Sequence, residues 1–463
     1  MTETVREHPG RRLASQLTAL PGRVRGAARE AGSLGREFNL LWVGQSVSNI
    51  GDKITLFVVP TVMILLLDAS AFQVGLVSMA QYLAIPLLSL IAGALVDRWD
   101  LRRTLIGCDL IRVAFVALIP IAWLFGFLSV PLIFICVAVA NAAAVFFTVG
   151  YSATIASVVP VSGRVKAYSH LETSRTTSEL IGPAIAGGLY VLIGVWTLVV
   201  DALTFAFSAA SIRAMKPYGG GAGRRQPMMA RLVHGIRINW SDPVLRGTLQ
   251  GTLLANIGGP IFVTVMPMLA YRGLGLSAGT MGVVMSVAAG GAVIGTLFAQ
   301  RVSNRLGASM MAWSIWLHSF VGLGILAAPW LPGAVVLTVT LTLYGIFMVW
   351  YNVSCAAVRL ARVPTEDQAV SAAAFRTITW GVIPLSVFVG GVLVELLTGS
   401  FGVLNATKIT MVFGTLIGVF FAAIPLAGLQ RLIDREREQA QEQASAEPSA
   451  PASATPLQPA RSS

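Results

Sequence analysis

Charge is what this 463-residue sequence has least of: 12% of its residues are Asp, Glu, Lys or Arg, about half the ~25% usual in soluble domains. With 55% apolar residues and a mean hydropathy of +0.74, a water-soluble globule would lack the polar surface to cover itself. The composition predicts an all-α protein that crosses a membrane many times. Cysteine is scarce too. Cys108, Cys136 and Cys355 lie inside apolar runs without metal-ligand spacing, which suits small buried apolar groups. His8, His170, His234 and His318 are scattered, so no metal site and no cofactor are expected. No GxxxxGK[ST] stretch is present, which excludes ATP hydrolysis through a phosphate-binding loop. No nucleophile, base and orienting residue can be grouped, so an enzyme is not expected. The first long apolar run begins near Phe38, too late and too long for a cleaved signal peptide.

What the sequence does have is apolar length. Segments at roughly 38–66, 73–96, 104–126, 130–158, 169–194 and 197–214 precede a polar stretch containing Gly219-Gly220-Gly221. A second set lies at roughly 244–270, 278–299, 309–329, 333–358, 369–397 and 403–428. Each can cross a hydrocarbon core of ~30 Å at ~1.5 Å per helical residue. The reading is twelve transmembrane helices in two six-helix bundles, 38–214 and 243–430. Around them lie an Arg-rich segment (1–37), a central loop (215–242) and a tail (431–463) that starts helical and ends disordered.

The charges orient the chain. Lys and Arg fall in alternate connections: Arg98, Arg102 and Arg103; Arg164 and Lys166; Lys216 to Arg237; Arg301 and Arg305; Arg359 and Arg362. Arg272 is the clear exception, and Lys408 lies just inside the last span. By the positive-inside rule both termini and the central loop are cytoplasmic, in the cell membrane. The net charge of +12 is thus topological, and nucleic acid is not an expected partner. An internal repeat underlies the two sets. Aligning Gly75 with Gly282 places Asp97-Arg98 over Asn304-Arg305, and aligning Arg175 with Arg376 places Pro183 over Pro384. Such parallel duplication marks secondary transporters.

Two stretches carry the strongest signals. Gly93-Ala-Leu-Val-Asp97-Arg98-Trp-Asp100-Leu-Arg102-Arg103 resembles the loop signature of the major facilitator superfamily, with Asp100 where a second glycine is usual. Gly93 permits close helix approach, and Asp97 at a helix end can pair with basic groups across the half-to-half interface as a conformational latch. The alternative is a charge cluster that merely sets topology. Gly182-Pro183-Ala-Ile-Ala-Gly187-Gly188 is similar to the superfamily's antiporter signature, with one extra residue between the pairs. A mid-helix proline removes a hydrogen bond and the glycines permit bending, so the segment reads as a rocking helix or as a packing kink. With Gly44-Gln45 through Gly51-Asp52-Lys53, Asp109-xx-Arg112 and the Asp201-Ala-Leu-Thr-Phe stretch, the chain resembles drug:proton antiporter family three, the macrolide-efflux and enterobactin-exporter branch.

Six acidic residues fall within spans: Asp52, Asp109, Glu172, Glu179, Asp201 and Glu395. A charge held at the membrane centre costs at least ~2.5 kcal/mol on insertion scales, so each needs a partner, water or a proton. A carboxyl group taken out of water binds protons more readily, the simplest coupling device for a carrier. Asp52, ~21 Å of helix from the inner end, is the first candidate for a proton or cation site; a fixed salt bridge is the alternative. Glu172, Arg175 and Glu179 share a helix face and form either a static triad or a switchable pair. Asp109 and Arg112 are one turn apart and near the inner end, which favours a structural or latch role. Asp201 and Glu395 sit nearer the outer ends, where water is close, and read as structural. Phe57, Tyr151, Phe262, Trp350, Tyr351 and Trp380 are candidate walls of an aromatic-lined cavity, or packing residues.

The resulting expectation is a monomeric secondary active transporter in the lipid bilayer. It exports an amphiphilic small molecule, an antibiotic or a siderophore, by alternating access and in exchange for protons. Metabolite uptake on the same fold, and a membrane sensor or scaffold without transport, are the rival readings.

Overall fold

The computed structural model describes residues 34–96, 98–216, 228–307, 309–327, 330–364 and 366–446. Asp97, most of segment 1–37, the middle of the central loop and the end of the tail lie outside the described residues. Those described form helices and no strand: α1 (Arg36–Leu65), α2 (Ala71–Val96), α3 (Leu101–Leu124), α4 (Val130–Val158), α5 (Arg164–Ile193) and α6 (Thr197–Arg213). After the central loop come α7 (Met228–Ser241), α8 (Pro243–Met268), α9 (Ala278–Leu306), α10 (Ser309–Leu323), α11 (Gly333–Arg362), α12 (Gln368–Gly381) and α13 (Ile383–Ala446).

Ten stretches among the described residues are long and apolar enough to cross a membrane, against the twelve expected. Two of them, Val161–Arg213 with 53 residues and Val370–Ile417 with 48, are much longer than the rest. Each contains a break at a glycine of positive φ, Gly194 at 56° and Gly402 at 71°. That backbone region strains any residue with a Cβ, so glycine lets the axis break without ending the apolar run.

Helix starts follow local chemistry. Asp100 caps α3, its side chain accepting the Arg103 amide at 2.7 Å. The acid that departs from the loop signature thereby satisfies one of the orphan N–H groups at a helix start. Asp242 caps α8 by accepting the amides of Val244 and Leu245, with Pro243 next in the chain.

Packing sorts the helices into two groups. In the first, α1 packs on α5 and α6, α3 on α4 and α6, and α2 on α4. In the second, α8 packs on α13, α9 on α11, and α10 on α11 and α13, while α7 lies along α12. Small residues bring α1 and α6 together. A Cβ on Gly44 would stand 3.1 Å from the Ser211 Cβ, and one on Gly51 would overlap the Asp201 carboxylate. The groups join chiefly at two crossings, α2 with α13 and α5 with α9. A Cβ on Gly75 would fall 2.9 Å from the Gly391 Cα, and one on Gly187 2.7 Å from the Gly282 Cα. Gly75 and Gly282 are the residues that the repeat aligns, so the two seams are related by exchanging the halves.

Candidate functional site

The two groups touch tightly at the end where connections carry few charges. Thr61 Oγ1 and the Tyr271 hydroxyl lie 2.8 Å apart. Asp68 pairs with Arg272, which accounts for the basic residue that breaks the charge alternation. The Phe72 amide donates to Glu395 at 3.2 Å, and the rings of Phe72 and Phe388 meet edge to face at 5.7 Å. Two connected cavities lie beyond this seal. The smaller, about 120 Å³, sits between the groups and is lined by Lys53, Phe57, Pro183, Met266, Met281 and Met285, among others. The larger, about 420 Å³, is walled almost wholly by the second group, including Asn256, His318, Tyr344, Arg359, Arg376 and Trp380. Tyr82, Val263 and Thr264 line both.

A polar cluster sits inside the first group, where α1, α3 and α6 meet. Arg112 is 5% exposed, donates to Asp52, stands 3.7 Å from Asp109, and lies 3.6 Å over the Phe205 ring. Asp109 and Asp201 are both fully buried. Asp201 accepts from the Thr55 hydroxyl and from Thr204 at 3.2 Å, filling the space left by Gly51. The Asp109 carboxylate oxygens have no hydrogen-bond partner within the described residues. One guanidinium thus serves three carboxyl groups, and only Asp52 among the three is partly open, at 41% of its side chain. Unpaired charge in such a setting is strongly disfavoured.

A second network runs along α5. Arg175 donates to Glu172 at 2.5 and 3.0 Å and to Glu179 at 2.5 Å. Lys53 approaches Glu179 at 3.4 Å. The shared helix face expected of these residues is present, and Lys53 turns to Glu179 rather than to Asp52.

The model of the Major Facilitator Superfamily matches residues 41–383. The chain belongs to the major facilitator superfamily. Its relatives in this superfamily include multidrug efflux pump Tap of Mycobacterium tuberculosis, 28% identical over 320 residues, which cover 65% of this chain and 74% of the pump. Tap of Mycolicibacterium fortuitum is 32% identical over 208 residues, 42% of this chain, and the match spans half of that pump's length. Macrolide efflux protein A of Streptococcus pyogenes is 27% identical over 164 residues, 35% of this chain and 39% of that protein. Among solved structures, the nucleoside transporter NupG superposes with a TM-score of 0.67 at 14% identity, covering 84% of this chain and 98% of that one. A bacterial homologue of the human lysosomal transporter Spinster, in an inward-facing and unoccupied conformation, gives 0.66 at 14% identity, covering 85% and 97%. At these identities the structures speak for a shared fold. The chain is a multi-pass membrane transporter of this superfamily, a family of carriers and not of enzymes.

Within that superfamily frame several candidate residues stand elsewhere than their spacing suggested. Gly93 lies in the last turn of α2 and Arg98 in an exposed turn, while Asp97 is outside the described residues. Arg103 is exposed. Arg102 donates to the carbonyls of Ile212 (3.3 Å) and Arg213 at the end of α6, where a cation favours the helix dipole. It ties the α2–α3 junction to the first group and does not bridge the groups. Asp109 and Arg112 likewise lie inside the first group and not between the halves, as the structural alternative of their reading has it. Gly44 and Gly51 let α1 close on α6, and α3 packs against α6 beside them. Asp201, read as a residue near a span end with water close by, is buried because α1 packs directly on it at Gly51 and Thr55.

The antiporter-like segment divides its labour. A Cβ on Gly182 would press 2.5 Å from the Lys53 Cβ, Gly187 makes the seam with Gly282, and Gly188 faces open space. Of the candidate wall residues, Phe57 lines the smaller cavity, and Tyr351 and Trp380 the larger. Tyr151, Phe262 and Trp350 line neither. Tyr151 stacks on Phe147 and Phe262 on Tyr344, and the Trp350 indole donates to the Gly295 carbonyl at 2.9 Å. Sequence reasoning passed over Tyr82, His318 and Asn256, which face the larger cavity. Their only signal was polarity within apolar runs.

Proposed function

We propose that the chain exports an amphiphilic small molecule, an antibiotic, a siderophore or a compound of similar chemistry, in exchange for protons. The observation that carries this reading is the excess of carboxyl groups over cations around Arg112. Three acids and one guanidinium in a low-dielectric interior leave two negative charges to be neutralised. A proton is the smallest group that can do so reversibly. Asp52, partly open and hydrogen-bonded to Arg112, is the entry point, with Asp109 and Asp201 sealed behind it. Protonating Asp52 weakens its hold on Arg112, which then turns to Asp109. The change in charge inside the first group biases its packing and hence the rocking of the groups about the glycine seams. Efflux pumps among the relatives support the direction of transport.

Reading each double-length run as two crossings makes twelve spans, in halves 38–214 and 243–430. Alternate placement of Lys and Arg then puts both termini on the cytoplasmic side of the cell membrane. On that orientation the seal described above is external, and the larger cavity opens toward the cytoplasm.

The test uses the purified full chain in liposomes, with a panel of cationic, neutral and anionic dyes and an imposed pH gradient. At least one dye should accumulate only while the gradient lasts, and the variant Asp52→Asn should abolish this without removing the protein from the membrane. Accumulation indifferent to the gradient, or unchanged in Asp52→Asn, would sink proton coupling through this residue. A chain that moves no solute under any gradient would favour the sensor or scaffold reading.

A further inference from the structure

The internal repeat aligns Arg175 with Arg376, and the surroundings of the two have diverged. Arg175 has Glu172 three residues before it and Glu179 four residues after it, and bonds both. At the same spacings Arg376 has Ala373 and Trp380. Its guanidinium lies 5.8 Å from the Trp380 ring centroid, and no carboxylate reaches it among the described residues. Arg359 is similar: it sits 4.5 Å over the Phe375 ring and has no acidic partner there. Arg359 and Arg376 both line the larger cavity, and no Asp or Glu lines either cavity. The other charged lining residue, Lys53, is also basic.

The chemistry of the walls is graded. The guanidinium pair and Asn352 line the part of the cavity formed by the later turns of α11 and by α12. The interior is lined by Val263, Ile315, Met348, Ile383 and Val387. Beyond the shared wall, the smaller cavity ends in Phe57, Met266, Met281 and Met285, flexible or planar apolar groups that adapt to varied shapes. A guanidinium stacked on an aromatic ring keeps its edge N–H groups free for a planar anion.

We propose that the larger cavity binds the anionic head of an amphiphile, a carboxylate or sulfonate on an aromatic or aliphatic body, between Arg359 and Arg376. The apolar body reaches toward the methionine-lined end. This names the substrate class of the export path proposed above and rests on that reading of the cleft. Arginine at the end of α11 also complements the helix dipole, but a dipole partner need not line a cavity or lack an acid. A rival account has Arg376 closing onto Glu172 or Glu179 when the halves rock the other way.

The experiment measures binding to the full chain in nanodiscs of zwitterionic lipid by isothermal titration. Three naphthalene probes share one alkyl-ether tail and differ in carrying a carboxylate, a neutral amide or a methylammonium group. The carboxylate is expected to bind about tenfold more tightly than the ammonium probe, ~1.4 kcal/mol. Arg376→Gln and Arg359→Gln should each weaken the carboxylate about five- to tenfold and leave the amide unchanged. Arg376→Lys, which keeps the charge, should retain the preference and show that the site is still folded. Equal affinity for acid and ammonium probes overturns the proposal. So does a loss in Arg376→Gln that is shared by all three probes, and so does slowed dye transport with unchanged binding, which is the outcome of the gate account. Titration needs no gradient. A chain that binds the carboxylate but moves nothing in liposomes would refute export and leave this site standing.

Discussion

Arg175 and Arg376 occupy matching places in the two groups of helices and do opposite things. The first is held between two glutamates on its own helix; the second is left beside Trp380, facing a cavity. The same contrast holds for the groups as wholes. The first pairs its charges among themselves, in the interior cluster of Asp52, Arg112, Asp109 and Asp201 and on the exposed face of α5. The second lines the larger cavity and pairs its acids elsewhere, Asp242 with Arg362 and Asp367 with His234. On the proposed reading, a duplicated unit devotes one copy to handling protons and the other to holding the solute, because each chemistry interferes with the other. Titrating carboxylates in the solute site would change its charge at every cycle.

The largest effect that would sharpen this contrast is expected at Arg112. Arg112→Gln leaves three buried or half-buried carboxyl groups with no cation. Loss of one partner of a buried ion pair costs about 3–5 kcal/mol, so thermal unfolding in detergent should drop sharply, and Arg376→Gln should leave it nearly unchanged. Equal destabilisation by the two variants would erase the distinction between the groups. Next comes Asp109→Asn, which keeps the shape but removes the charge. Gradient-driven dye transport in liposomes should fall about a hundredfold, ~2.7 kcal/mol of coupling, while binding of the naphthalene probes is retained. Retained transport would place the titrating group elsewhere.

The seams supply a comparison in which the groups should behave alike. Gly187→Val and Gly391→Val both force a side chain into opposing backbone, and overpacking of this kind costs about 1–3 kcal/mol. Both variants should weaken the seal around Thr61 and Tyr271 and raise cysteine-reagent access to a probe introduced at Thr61→Cys; a one-sided effect would deny the symmetry. Ala373→Glu restores to Arg376 the acid that its counterpart has. Carboxylate-probe affinity should fall about tenfold, and ammonium-probe affinity should rise. No change would mean that the missing acids are incidental.

The smallest effect is at Asp242. Partial burial works against its ionisation, but the amides of Leu245 and Val244 and the Arg362 guanidinium hold the carboxyl below its ordinary range. A carboxyl shifted downward on folding contributes stability above its unfolded value of about 3.9 and loses it as pH falls below that. Screening at this half-exposed site keeps the ion-pair contribution below ~1 kcal/mol. Between pH 7 and pH 3 the unfolding temperature of the natural chain should therefore fall slightly more than that of Asp242→Asn, whose amide oxygen can still cap α8. Parallel curves would remove the ion pair from the account.

Hydropathy made the helical membrane architecture readable, because a bilayer core admits only backbone that satisfies its own hydrogen bonds. Glycine and proline spacing marked α5 as a helix that must come close to a neighbour, and i, i+3, i+4 spacing fixed the face shared by Glu172, Arg175 and Glu179. These are properties of one helix, and one helix is enough to read them. Asp109, one turn from Arg112, could be read the same way, but Asp52 and Asp201 could not, since they lie on two other helices whose rotation about their axes is set by Gly44, Gly51 and the residues packed against them. Depth misled for a related reason: Asp201 is near a helix end along the chain yet dry in space, covered by α1 at Gly51 and Thr55. Tyr151, Phe262 and Trp350 were indistinguishable from Tyr351 and Trp380 by type and position, and what separates the two sets is which side of a helix meets another helix and which meets a cavity. Burial of a given side chain is a property of the assembled bundle, and it enters the chain's chemistry only when the helices meet.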